Sequence, residues 1–294
     1  ARGHRATMDS DLQPRVAVRA GMARRLARHR GAVVGLAVLG ALALMALSAP
    51  WLSPRDPIKT APRAALQPPG ATYWLGSDQL GRDVASRVLH GARISLTVGL
   101  IAVTIAVVIG APVGLVAGFY GGRLDMIVMR VIDVLLAFPG ILLALAIVSV
   151  LTPGLTNVMI AVGLSAVPTY ARLVRGSVLA ARENLYVEAA RALGSRDPSI
   201  LVRYILPNVV APLVVTATLG LGTAILAAAG LSFLGLGSQP PLPEWGRMLS
   251  EGRDYLREAW WISTFPGLGI MLTVLGMNLL GDGLRDVLDP RLKV

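Results

Sequence analysis

The stretch YVEAARALGSRDPSILVRYILPN, residues 186–208, interrupts a chain otherwise made of long apolar runs, and its reading decides how those runs are threaded. Continued back to Arg182, its first part has the spacing of an amphipathic helix that reaches Leu193. Leu185, Tyr186, Ala189, Ala192 and Leu193 fall on one stripe, with Glu188 beside it. Gly194 is placed to end that helix, because a glycine just past the last turn takes the left-handed conformation without a steric penalty. Asp197 and Pro198 then open a second helix, the aspartate capping free amides and the proline filling a position that needs no N–H donor. Helix, tight turn, helix, carrying Arg182, Arg191, Arg196 and Arg203, makes a polar hairpin between two apolar runs.

Around that hairpin the 294 residues are 54% hydrophobic and only 15% charged, with a mean hydropathy of +0.63. A soluble domain carries about 25% charged residues, so the composition is that of a membrane protein. The net charge of +11 is almost all arginine, since lysine occurs only at Lys59 and Lys293. Arginines flanking apolar spans serve topology and anionic headgroups, and no soluble domain is present to offer a nucleic-acid surface. Cysteine is absent, and His4, His29 and His90 lie far apart, which excludes disulfides, thiolate sites and a histidine metal cluster.

The apolar runs are Gly31–Ala49, Ile94–Phe119, Val131–Leu151, Leu155–Tyr170, Val209–Leu236 and Trp260–Leu280. Each is read as one crossing, at about 20 residues per span. The first is too long for a cleaved signal peptide and is expected to be a retained helix. Leu155–Tyr170 is the shortest and contains Pro168, yet without it the hairpin would fall on the other side of the membrane. The expected fold is therefore an all-α integral membrane protein of six transmembrane helices. Its parts are a basic arm (1–30), a first span (31–49), an outer loop (50–93), a core (94–283) with the hairpin at 182–208, and a tail (284–294).

Arginine placement puts the arm, Arg123, Arg130, Arg172, Arg175 and the hairpin on the cytoplasmic side, with both termini. Arg55, Lys59, Arg63, Arg82 and Arg87 in the outer loop oppose that orientation. The loop QPPLPEWGRMLSEGRDYLREA, residues 239–259, reads as a proline turn and a short amphipathic helix, with Trp245 and Trp260 as interfacial anchors.

Neither lysine follows a glycine, so the chain has no phosphate-cradling Gly-Lys-Ser/Thr loop, and it also lacks a serine elbow and an H-E-x-x-H pair. No catalytic, cofactor or metal site is expected in it. If it moves a solute, energy comes from an ion gradient or from a partner. Spans of gradient-driven transporters usually carry ionisable groups, and these are nearly clean. Asp133 lies near the cytoplasmic end of its span and Asn278 is the main polar residue deep in another. The alternatives are a gradient-driven transporter, a membrane scaffold, or a hairpin whose arginines only touch headgroups.

Glu188-Ala189-Ala190, three residues, Gly194, then Ile205-Leu206-Pro207 resemble the E-A-A loop of bacterial ABC importer permeases. LGSDQLGRDVASRVLHGARISL (75–96), AGFYGG (117–122), DVLLAFPGILLA (133–144), YARLVRG (170–176), LSFLGLG (231–237) and NLLGDGLRDVLDPR (278–291) are similar, in order, to the C-type permease of dipeptide, oligopeptide and nickel importers. Two positions depart from the pattern: Tyr204 stands where the I-x-L-P element begins, and Ala228 where relatives commonly carry glutamate.

The resemblance implies an inner-membrane subunit that pairs with a second, homologous permease. Two ATPase subunits, or one fused ATPase, bind ATP and Mg beneath the pair, and an extracytoplasmic binding protein delivers cargo. Peptides are the expected cargo, with nickel or glutathione as alternatives. Glu188, Ala189, Ala190, Arg191, Gly194, Ser195 and Asp197 then form the coupling surface, in which Glu188 meets a basic group and both alanines keep the interface thin. Asp133, Pro139, Asn157 and Asn278 are the candidates for the path.

Overall fold

Apolar length builds the scaffold. The computed structural model of the chain describes residues 24–288, and among them regular structure is helical apart from one isolated bridge between Ser77 and Asp83. Most of the basic arm, with Arg15 and Arg19, and the tail beyond Leu288 lie outside the described residues.

Helix α1 (Arg30–Leu52) runs from the hairpin end of the bundle to the opposite end, and α2 (Val84–Tyr120) returns. Helices α3 (Gly122–Leu136) and α4 (Gly140–Leu151) follow, then α5 (Leu155–Arg182) comes back to the hairpin. The hairpin is α6 (Leu185–Ala192) and α7 (Asp197–Ile200), joined by a π-helical turn over Leu201–Ile205 to α8 (Leu206–Phe233). Short α9 (Trp245–Gly252) lies across the opposite end, and α10 (Trp261–Leu288) returns. His29 Nε2 lies 3.0 Å from Asp286 Oδ2, so the start of α1 and the end of α10 share the hairpin end.

Among the described residues five helices are long and apolar enough to cross a membrane, α1, α2, α5, α8 with its lead-in, and α10, and the bent pair α3–α4 makes a sixth if it is one span. Val131–Leu151 is not one rod, because α3 and α4 meet at 92° across Ala137, Phe138 and Pro139. At 1.5 Å per residue they reach about 22 and 18 Å, short of the roughly 30 Å apolar layer. Pro139 cannot donate to a preceding turn and occupies the N-cap of α4, which places the break there.

Leu155–Tyr170, the shortest run, continues to Arg182 with Pro168 inside the helix. Its end is tied down by Arg182, whose Nη1 donates to the carbonyls of Phe119 (2.8 Å) and Gly118 (3.2 Å) at the C-terminus of α2. Helix α2 begins at Val84, ten residues before the apolar run, because Asp83 caps it through Ser86 N–H.

At the end opposite the hairpin, a buried ionic cluster joins the 53–83 loop to α9. Arg82 Nη2 reaches Glu251 Oε2 at 2.6 Å, Arg87 Nη2 reaches the same oxygen at 3.1 Å, and both arginines also face Asp78. Arg82 and Arg87, which counted against the orientation of this loop, are thus buried and offset by carboxylates. Trp245 is also corrected: it is fully buried, its Nε1 donating to Val88 O at 3.1 Å, whereas Trp260 is half exposed.

Candidate functional site

Two places could carry function, the hairpin face and a cavity inside the bundle. In the hairpin, Gly194 has φ +78°, and its N–H donates to Arg191 O while Ser195 N–H donates to Ala190 O, both at 3.0 Å. That pair of bonds is the Schellman arrangement, which closes the free carbonyls of α6. The first helix does not run unbroken from Arg182 to Leu193, because Glu183 and Asn184 separate α5 from α6. Asp197 is not the cap of the second helix: Arg196 holds that position without a side-chain bond, and Asp197 sits in the first turn, where a carboxylate favours the dipole.

Val187 and Ala190 are the buried pair of α6, and Val187 packs in one cluster with Phe119, Val178, Ile200 and Ile205. The apolar stripe of Leu185, Tyr186, Ala189, Ala192 and Leu193 points outward. Leu185 is 81% and Leu193 86% exposed. Ala190 is therefore an internal contact, not an interface residue, while Glu188, Ala189, Arg191, Gly194 and Asp197 are exposed and Ser195 is half-buried. Tyr204, one of the departures, stacks on Tyr186 at 6.5 Å, and Asn208 Nδ2 donates to Tyr186 Oη at 3.1 Å, so the two arms are clamped together.

The cavity, about 550 Å³, opens where α2, α4, α5, α8 and α10 converge. Its polar lining is Ser165, Thr169, Tyr170, Thr216, Thr223 and Asn278. Of the four path candidates only Asn278 lines it. Asp133 pairs with Arg172, and Asp125 with Arg175 at 2.7 Å, so these two arginines of α5 hold α3. Pro139 marks the bend, and Asn157 caps α4 by donating to Leu151 O (2.8 Å) and Thr152 O (3.1 Å). Ala228 is buried in the core and does not line the cavity.

Sequence reasoning missed the cavity hydroxyls, which carry no local signal, and it missed Asp125. It also missed the ionic cluster, although Asp78 and Arg82 at i, i+4 are a signal for pairing.

A family model described as binding-protein-dependent transport system inner membrane component matches residues 110–294, the part that holds the hairpin and most of the cavity. The chain belongs to that family. A second model, the N-terminal TM domain of oligopeptide transport permease C, matches residues 20–69 of this permease. The dipeptide transport system permease protein DppC of Alkalihalophilus pseudofirmus is 49% identical over 270 residues, 92% of this chain and 89% of its own. The glutathione transport system permease protein GsiD of Pectobacterium atrosepticum is 48% identical over 271 residues, 92% and 90% of the two chains. A chain of the inward-facing MetNI methionine ABC transporter superposes with a TM-score of 0.56 at 24% identity, over 68% of this permease and 96% of that chain, a likeness of fold. This permease is a multi-pass membrane subunit of an ABC importer.

Proposed function

We propose that this permease is one half of the path of an ATP-driven peptide importer, and that its hairpin takes up the stroke of separate ATPase subunits. The observation that carries the coupling role is the outward face of α6, where Leu185 and Leu193 stand 81% and 86% exposed beside Glu188 and Arg191. Apolar side chains held in water beside charges need a cover, and at the cytoplasmic end that cover is a groove on the ATPase. Glu188 meets a basic group there, and Gly194 sets the bend.

A second permease completes the path, an extracytoplasmic binding protein delivers cargo, and ATP with Mg is held by the ATPases, as befits a chain with no phosphate loop of its own. ATP binding closes the ATPase pair, and the hairpins swing the bundles from inward- to outward-facing as rigid bodies. The hairpin and both termini lie on the cytoplasmic side of the inner membrane. Peptide cargo is supported by the names of relatives such as the dipeptide permease, and glutathione, a modified tripeptide, is the second reading.

The test is mass spectrometry of proteins co-purified with the tagged chain from native membranes in mild detergent. An ATPase, a second permease and a binding protein are expected, and a lone stable chain would overturn the reading. In the assembled importer, Glu188→Arg is expected to uncouple hydrolysis from uptake while leaving the chain in the membrane, and wild-type uptake in that variant would remove the coupling role.

A further inference from the structure

The cavity is an open cleft, with Gly140, Ile141, Thr169, Thr223 and Asn278 of its lining exposed, and it has an unusual chemical balance for membrane-spanning helices. None of its lining residues is an aspartate, glutamate, lysine or arginine. On the neighbouring segments Asp125, Asp133, Arg172 and Arg175 are paired with each other outside it, and Asp282, one turn along α10 from Asn278, does not line it. Small residues, Ala102, Gly140, Ala166, Gly220, Ala224 and Ala227, keep it open and bring helix backbone close to its surface.

Three of the five hydroxyls in the lining have spent their donors, Tyr170 Oη on Thr216 O at 3.4 Å among them, while those of Thr169 and Thr216 have no partner among the described residues. Ser165 Oγ donates to Val162 O at 2.9 Å and Thr223 Oγ1 to Gly220 O at 3.0 Å, which leaves their oxygen lone pairs as acceptors. Asn278 is different. Its carboxamide carries two N–H donors and a carbonyl, it is exposed to the cleft, and it has no hydrogen-bond partner among the described residues. A carboxamide exposed on a membrane span is costly against lipid, so such a group marks a surface that meets water, solute or another polar group. The group complementary to a free carboxamide is another amide, which returns both a donor and an acceptor.

We propose that this cavity is the cargo-contact surface of the permease, that Asn278 bonds the peptide group of the passing cargo, and that passage is indifferent to side-chain charge. The proposal rests on the peptide-importer reading and adds to it the residue and the feature of the cargo that is read. Cargo side chains then meet hydroxyls and small apolar groups without formal charge, so neither sign of charge is drawn in or repelled. Discrimination by charge is left to the binding protein.

The test uses the complete importer in proteoliposomes with its binding protein, with Ala-Ala, Lys-Ala and Glu-Ala as probes. Each variant rate is divided by the wild-type rate for the same dipeptide, which cancels the preference of the binding protein. Asn278→Asp is expected to lower Glu-Ala uptake about tenfold relative to Lys-Ala, since a fixed charge beside the passing cargo repels its like. Equal ratios for all three dipeptides, whether unchanged or uniformly reduced, would overturn the proposal.

A second measurement does not depend on Asn278. Because the chain has no cysteine, Thr223→Cys or Thr169→Cys in a cysteine-free importer gives a single thiol for a small methanethiosulfonate reagent. Ala-Ala with binding protein and ATP is expected to slow its labelling severalfold, and labelling at an unchanged rate would overturn the proposal. A wild-type importer that moves none of the three dipeptides would overturn the peptide reading itself, a separate failure.

Discussion

Arg82 and Glu251 lie 169 residues apart in the chain and meet at 2.6 Å, with their side chains only 2% and 9% exposed. The contact pins α9 to the loop ahead of α2, and Arg87 shares the same carboxylate oxygen. Glu251→Ala leaves two buried guanidiniums without that partner and is expected to cost about 3–5 kcal/mol. The exposed pair Arg253–Asp254, 60% and 73% exposed, is the control, and Asp254→Ala should cost under about 1 kcal/mol. Thermal unfolding of both variants in detergent separates them, and equal midpoints would remove the structural role of the cluster.

Gly194 holds φ +78° at the turn of the hairpin. Gly194→Val forces a β-branched residue into the left-handed region, a loss of about 1–2 kcal/mol, whereas Gly194→Asn is milder. Limited proteolysis should cut the valine variant faster between α6 and α7. Cleavage at the wild-type rate would show that the turn tolerates another conformation.

Gly114 marks a close approach of α2 and α5, where an added Cβ would run into Ala171 O. Neither backbone can yield without parting the helices, so Gly114→Ala is expected to destabilise by about 1–3 kcal/mol. At Gly40, a Cβ would meet nothing within 4 Å, and Gly40→Ala should be neutral or slightly stabilising. Comparison of their unfolding midpoints checks the α2–α5 contact.

Glu244, in the loop before α9, is pushed above the usual carboxylate range by burial, against the pull of the Gly246 and Arg247 amides that it caps. The folded chain therefore holds this proton more tightly than the unfolded one. Its stabilising contribution is full below the ordinary carboxylate pKa, about 4.3, and is lost as pH rises through the elevated value. Glu244→Gln removes that dependence, so the wild-type midpoint minus the variant midpoint should fall as pH rises. A constant difference between about pH 4 and pH 8 would show that the group does not titrate there.

Apolar run length and the Gly194 turn were legible because both are local: a run long enough to span, or a glycine after a helix, needs no distant partner to be recognised. The face of α6 was not. Its outward stripe holds more apolar residues than its inward one, and only packing with distant residues such as Phe119 and Val178 buries Val187. Periodicity likewise carries no direction, so Val131–Leu151 read as one rod although Pro139 turns it through 92°. Asn157 and Asn278 are equally polar in sequence, and only their surroundings make one a cap and the other a lining residue.

By itself, then, the sequence determined that the chain is a helical membrane protein with a polar hairpin and that its motifs are those of an importer permease. These follow from composition, span length and short-range spacing, which the chain carries wherever it folds. Tertiary structure alone decided which charges meet, which hairpin face is left for a partner and which polar groups line the cavity. The reason is physical: the Arg82–Glu251 pair and a space bounded by five helices exist only once segments far apart in the chain pack together, and no local pattern encodes their distance.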